Sequence, residues 1–433
     1  VIVRALVIGA LLLFAQGRLA AEDPVVQIRA VRAYGAGDER LPPILLIPSR
    51  SGSVAPGTIG SSQITIEVDV QSTNVPNLAA RFVHCNADWS EDFNTFLADA
   101  SLQTTLFDWT FASTRSAWHS HRASLTLPNP QISFRASGNW KALITEIGSD
   151  RILAEVLFFV HEPLAQSVTM VVTDFYEPRE KVSGIAFQME TSVHAPNGTL
   201  IDPFLKTCVM YRNQRWYEPV VIERFGGDES INPPSVSTYT TGVLSSRVVF
   251  GLRGLPAENE YRVLDLTNLA LFPYTGQPVR LPLSDLPRNG FFFDRADDGA
   301  LVTRMISSSY DEYVPIEFVL DPLGKVTEQD VFLVGSFNNW RPTRQWQLGY
   351  DEELRLYRLR QWVRRGRHNY MYATGSLDLE RDRVMGLRYE RFEGNTASNT
   401  NTTYAFVYYR MQDFGGYDAL VSVAASTIYS SSR

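Results

Sequence analysis

Apolar residues recur along most of the chain at every second position, in short runs separated by glycine, proline, asparagine and serine. In SQITIEVDV (62–70), Ile64, Ile66, Val68 and Val70 share one face, the period of a half-buried strand. NWKALITEIG and RILAEVLFFVHEP read as two paired strands with GSD as the turn between them. SVTMVVTDF, SGIAFQMET, KTCVMYRNQRWYEP, SRVVFGLRG and EYRVLDL continue the pattern. No long segment carries helical period; EDFNTFLADASLQ is read as one short helix. Strands at this spacing, with turn residues between them, predict an all-β chain of three tandem immunoglobulin-like or fibronectin-III-like sandwiches. The expected units are 22–163, 164–294 and 295–433, with boundaries near Pro163 and Asp294. Strand character from 419 to 424 predicts an extra C-terminal strand on the third unit.

Composition supports packed cores. Of 433 residues, 44% are hydrophobic and 12% aromatic, a mixture suited to pleated surfaces. Residues 1–21 read as a secretory signal peptide, with Arg4 ahead of an apolar run that ends at Phe14. That run is too short to span a bilayer, which needs about 20 apolar residues. The expectation is an exported mature chain with no transmembrane segment. Removing Arg4 and Arg18 takes the net charge from −7 to −9. An acidic chain argues against nucleic acid, which needs a basic footprint.

Candidate chemistry is thin. There is no G-x-S-x-G elbow and no P-loop. His119 and His121 in WHSHR are two apart, so on a strand they share a face. A zinc site would need a third ligand that nothing signals, and solvated strand histidines are the alternative. Asp297 and Asp298 read as a solvated turn rather than as a hydrolase pair. Cys85 and Cys208 fall in different expected units and read as buried thiols more than as a disulfide. No catalytic residue, metal ligand or cofactor is assigned, and the chain is read as a non-enzyme.

Three stretches stand out. HCNADW (84–89) reads as a strand running into an Asx-type turn. Val83, Cys85, Ala87 and Trp89 are expected to face the core, with Phe82, His84, Asn86 and Asp88 on the other face. VFLVGSFNNW (331–340) reads as a strand, a polar turn through Gly335, Phe337 and Asn338, and then Trp340. In LYRLRQWVRR, Tyr357, Leu359, Gln361 and Val363 form one face of a strand and Arg358, Arg360, Trp362 and Arg364 the other. Arginine and tryptophan are common at binding hot spots, so the second face is a candidate docking surface. An outer face with arginine stems lying over the indole is the alternative.

VFLVGSFNNW resembles the opening of glycogen-binding-type early-set sandwiches. There, Trp340, Trp346 and Trp362 would be candidates to stack on sugar rings; Trp340 closing its own core is the competing reading. HCNADW, NQRWYEP, VFLVGSFNNW and the late RFEGNTASNTNTTYAFVYYR together resemble the plug protein family of the bacterial type IX secretion system. In that family His84, Cys85, Asn86, Asp88, Trp89, Gly335, Phe337, Asn338 and Trp340 would be structural motif residues. The resemblance implies a periplasmic protein, associated with the outer membrane, that occupies the translocon barrel's periplasmic opening when no cargo is bound. An exported carbohydrate-binding protein, with a polysaccharide as partner, and a cargo-holding scaffold are the other readings carried forward.

Overall fold

The structure, a computed structural model, describes residues 26–48, 57–99, 101–149, 151–163, 167–175, 186–195, 206–222, 232–233, 235–242, 245–273, 277–288, 300–303, 312–380, 382–395 and 401–428. The expected signal peptide, the Asp294 boundary, Asp297 and Asp298 lie outside them. Described residues form five sheets. The first carries β1 (Gln27–Gly35), β3 (Ile64–Gln71), β7 (His121–Leu127) and β6 (Asp108–Phe111), in that order. The second carries β2 (Ile44–Leu46), β9 (Ile152–His161), β8 (Gly138–Glu146), β4 (Leu78–Cys85) and β5 (Gln103–Thr104). Ile64, Ile66, Val68 and Val70 are fully buried between these two sheets with Leu125, Trp140 and Phe158, as their alternation predicts. β8 and β9 pair antiparallel through the expected hairpin.

The third sheet is β10 (Ser167–Phe175), β11 (Ala186–His194), β15 (Arg247–Pro256) and β14 (Ser237–Thr241). The fourth is β13 (Val220–Ile222), β12 (Lys206–Arg212), β24 (Asn401–Met411) and β25 (Tyr417–Ile428). The C-terminal strands therefore cross the expected unit boundary. β24 pairs along the whole of β12, and β25 adds to β24 at the sheet edge. The reason is burial on both faces. Ala405 and Val407 face Met189 and Phe250 of the third sheet, while Phe406 and Tyr408 face Phe159 and Ile44 of the second. A strand apolar on both faces needs a layer on each side, and the third sandwich does not supply one there.

The fifth sheet runs β16 (Arg262–Asp265), β22 (Arg367–Asp378), β19 (Asp330–Gly335), β20 (Gln347–Asp351), β21 (Leu356–Arg364), β18 (Tyr313–Leu320) and β17 (Val279–Arg280), with β23 (Arg383–Arg388) on β22. β20 joins two layers by pairing first with β19 and then with β21. β16 crosses the same boundary in the opposite sense, because Leu264 and Leu266 belong to the core of this sandwich. The described residues of the helix expected in 91–103 instead form turns that lead into β5, with Asp92, Asn94 and Asp99 side chains accepting from backbone N–H two residues on. Such local bonds compete with a helix. No described helix is long and apolar enough to cross a membrane.

Candidate functional site

The motif residues meet where the sandwiches pack on one another. β4 ends at Cys85, and the next residues close a turn in which Asp88 accepts from the Ser90 amide at 3.0 Å and hydroxyl at 2.6 Å. Trp89 takes a left-handed φ of 68°, rare for a bulky residue. That turns its ring onto Phe159, with centroids 5.1 Å apart, and lets its indole donate to the Tyr211 hydroxyl at 2.9 Å. Asn139 donates to the carbonyls of Asn86 and Ala87, both at 3.0 Å, and accepts from Tyr408 at 2.6 Å. The Ala87 amide donates to Asp418 at 3.0 Å. HCNADW thus rivets the second sheet to β12, β24 and β25.

The expected orientation of this strand is reversed in part. Phe82 points into the core between the first two sheets, and His84 lies edge-on to Trp140 and Tyr417. Cys85, Ala87 and Trp89 face the other way, and Ala87 and Trp89 are covered by the fourth sheet. Both faces are buried, so alternation alone did not mark the inner one. His84 is held by Asp92 at 2.8 Å and the Ser137 carbonyl at 3.2 Å. Cys85 and Cys208 are free and buried; burial pushes both thiols up to about 12.

NQRWYEP forms a second rivet. Arg215 is buried and makes a two-pronged pair with Glu258, each bond 2.7 Å. Its guanidinium lies 4.8 Å from the ring centroids of both Trp340 and Tyr389. Burial opposes the Glu258 charge, but Arg212 and Arg215 hold its carboxyl below the usual range. Trp216 packs against Phe159, Tyr211 and Tyr404, and Glu218 accepts from Tyr389 at 2.6 Å. A segment of the middle unit thus bridges toward the first and third.

VFLVGSFNNW supplies the third unit's side of that rivet. Asn338 bonds the Gly335 amide at 2.9 Å and the Leu333 carbonyl at 3.0 Å. A Cβ on Gly335 would lie 2.5 Å from the Asn369 carbonyl oxygen, so only glycine fits. Asn339 reaches the Val31 carbonyl of the first unit at 2.7 Å. Trp340 is 1% exposed, and Trp346 is 6% exposed and stacked on Phe337 at 4.7 Å. These indoles close cores. They cannot serve as a sugar platform, which removes two of the three candidate tryptophans.

The arginine ladder is turned inward at one end. Trp362 stacks on Trp118 at 5.3 Å and 13°, with Arg29 over the Trp118 ring at 3.9 Å. Arg364 is buried and pairs with Glu67 at 2.9 Å. Arg358 is held by Glu317 and Asp351, and Arg360, 65% exposed, leans back to Glu317 at 3.2 Å. The expected docking face is therefore divided: Trp362 and Arg364 form a third joint, where the fifth sheet meets the first, while Arg358 and Arg360 pair within the fifth sheet. The first sheet's side of that joint is acidic: Glu67 also takes Arg32 at 2.6 Å, and Asp69 takes Arg122 at 2.5 Å and the Tyr313 hydroxyl at 2.7 Å. Burial opposes the Glu67 charge, yet Arg32, Arg364 and Arg122 bring its carboxyl down to about 2. Asp69, more deeply buried, is held well below the usual range by Arg122 and Arg364.

His119 and His121 are buried beside Tyr313 and beside Trp109 and Phe111. Among the described residues no group of three or more His, Cys, Asp or Glu could hold a metal ion. A cavity of about 60 Å³ at the meeting of the units is bordered by Arg32, Glu39, Trp216 and Trp340. Sequence reasoning missed Arg215, Asn139, Glu67 and Trp118. Arg215 and Trp216 lie within a quoted motif, but nothing in their spacing said what they would touch.

The arrangement defines a class: stacked β-sandwiches whose unusual polar residues are consumed in joining them. Residues 41–162 match the family model described as Type 9 secretion system plug protein 1st domain, a span that contains HCNADW and the strands that carry it. The fold is similar to that of a hypothetical protein from Parabacteroides merdae, with a TM-score of 0.73 at 20% identity over 94% of this chain and 99% of that one. No curated protein matches the chain.

Proposed function

We propose that the chain is a non-enzymatic periplasmic plug that closes the periplasmic opening of a type IX secretion translocon barrel when no cargo is bound. The observation that carries this reading is the match of residues 41–162 to the first domain of the plug family. The joints give it a physical basis. A plug works by shape, so its units must not move independently. Interfaces between domains of one chain are commonly polar and mobile; here they are locked by buried ion pairs, stacked indoles and bonded tyrosines. The test is a deletion strain. Loss of the chain should admit large antibiotics that an intact outer membrane excludes, and re-expression should restore exclusion. Unchanged permeability with an intact translocon would refute it.

A further inference from the structure

Three phenylalanines on two loops that are bonded to each other are held outward. Phe93 is 84% exposed, Phe96 73% and Phe414 47%. They sit on two loops, one after HCNADW and one between β24 and β25. Asn94 ties these loops together, donating to the Phe414 carbonyl at 2.6 Å and the Gly416 carbonyl at 2.9 Å while accepting from the Phe96 amide at 3.0 Å. Asp92, bonded to His84, in turn accepts from the Asn94 amide at 3.0 Å. The Phe96 ring lies over Gly415, where a Cβ would come within 2.8 Å of it. Phe414 is held at φ 50°, ψ 35°, a left-handed conformation costly for an aromatic residue. Local structure is thus spent on presenting rings to solvent.

We propose that Phe93, Phe96 and Phe414 form a preorganised docking patch for a partner protein that offers an apolar recess rimmed by lysine or arginine. The charge around the patch selects that partner. The 88–99 loop carries Asp88, Glu91 and Asp99 and no basic residue, its Asp92 being turned inward onto His84, and Asp413 adjoins Phe414. Arg410, at the end of β24 before the second loop, is 45% exposed but paired with Asp418 at 3.0 Å. An acidic collar repels anionic lipid headgroups and matches a basic rim, which steers encounter and fixes orientation. Rigid aromatic anchors suit the centre of such an interface, because little side-chain freedom is lost on binding. The patch stands on these observations; that its partner is the translocon rests on the reading above.

The experiment places a photoreactive phenylalanine analogue at position 93 or 96 of the full chain in its native organism, with position 354 as an exposed control (Leu354 is 56% exposed). Strong crosslinks at 93 and 96, well above position 354, are expected to one protein, with the crosslinked peptide apolar and bordered by lysine or arginine. Lipid adducts, or no protein above the control, would overturn the proposal. In parallel, Phe93→Ser with Phe96→Ser should lower recovery of that protein about tenfold or more without changing the urea midpoint; unchanged recovery would also overturn it. A single crosslinked protein other than the barrel, joined through such a peptide, would leave the patch standing and remove the plug reading; one joined through an acidic or wholly polar peptide would overturn the patch.

Discussion

Glu67 offers the sharpest test of the joint between the first and fifth sheets. It is 12% exposed and lies between Arg32 and Arg364. Glu67→Gln is nearly isosteric and stands in for the protonated acid, so it removes the charge and leaves the packing. The distance from an ordinary 4.5 to about 2 is worth roughly 3 kcal/mol, at about 1.4 kcal/mol per tenfold in acidity. Because the folded value is depressed, this stability is present above about pH 4.5 and is lost as pH falls through about 2. Urea unfolding followed by circular dichroism and tryptophan emission should show the variant weaker by roughly 3 kcal/mol at pH 7 and by roughly half that at pH 3. Trp118 and Trp362 stack at this joint, so the transition that separates them is the one to follow. Equal stability at pH 7, or a deficit that does not shrink on acidification, would refute the account of the joint.

Other outcomes follow from the same geometry. Asn139→Ala takes the side-chain donor from the Ala87 carbonyl and the acceptor from the Tyr408 hydroxyl, leaving the Asn86 carbonyl its bond from the Trp89 amide, and should cost on the order of 1–3 kcal/mol in denaturant unfolding. With both thiols buried and pushed up to about 12, a thiol reagent at pH 8 should label neither cysteine of the folded protein and both after denaturation. Arg360→Glu, at the exposed end of the ladder, should shift the thermal midpoint by an amount equivalent to no more than about 0.5 kcal/mol, whereas Arg364→Glu should prevent stable assembly of the joint.

The strands themselves were legible because a two-residue period needs no tertiary knowledge. Ile64, Ile66, Val68 and Val70 announced a buried face and occupy one. What failed was the assumption that each strand has one inner face. Cys85, Phe159 and Phe406 sit in layers covered from both sides, where alternation carries no orientation. The same limit explains the arginine ladder. Glu67 and Asp69 alternate with the apolar residues of β3 and look solvated until the fifth sheet covers them. Their partner Arg364 lies 297 residues away, and no local pattern links them. A tryptophan after FNN at a strand end fits a sugar platform or a lid equally well by sequence, and the 1% exposure of Trp340 decides for the lid.

The most direct measurement is an affinity purification from gently solubilised envelopes of the native organism, using the full chain tagged at its C-terminus, with mass spectrometry of what co-purifies. The account predicts recovery of one very large outer-membrane barrel without bound cargo. Recovery of no barrel, or of many exported proteins in its place, would contradict it.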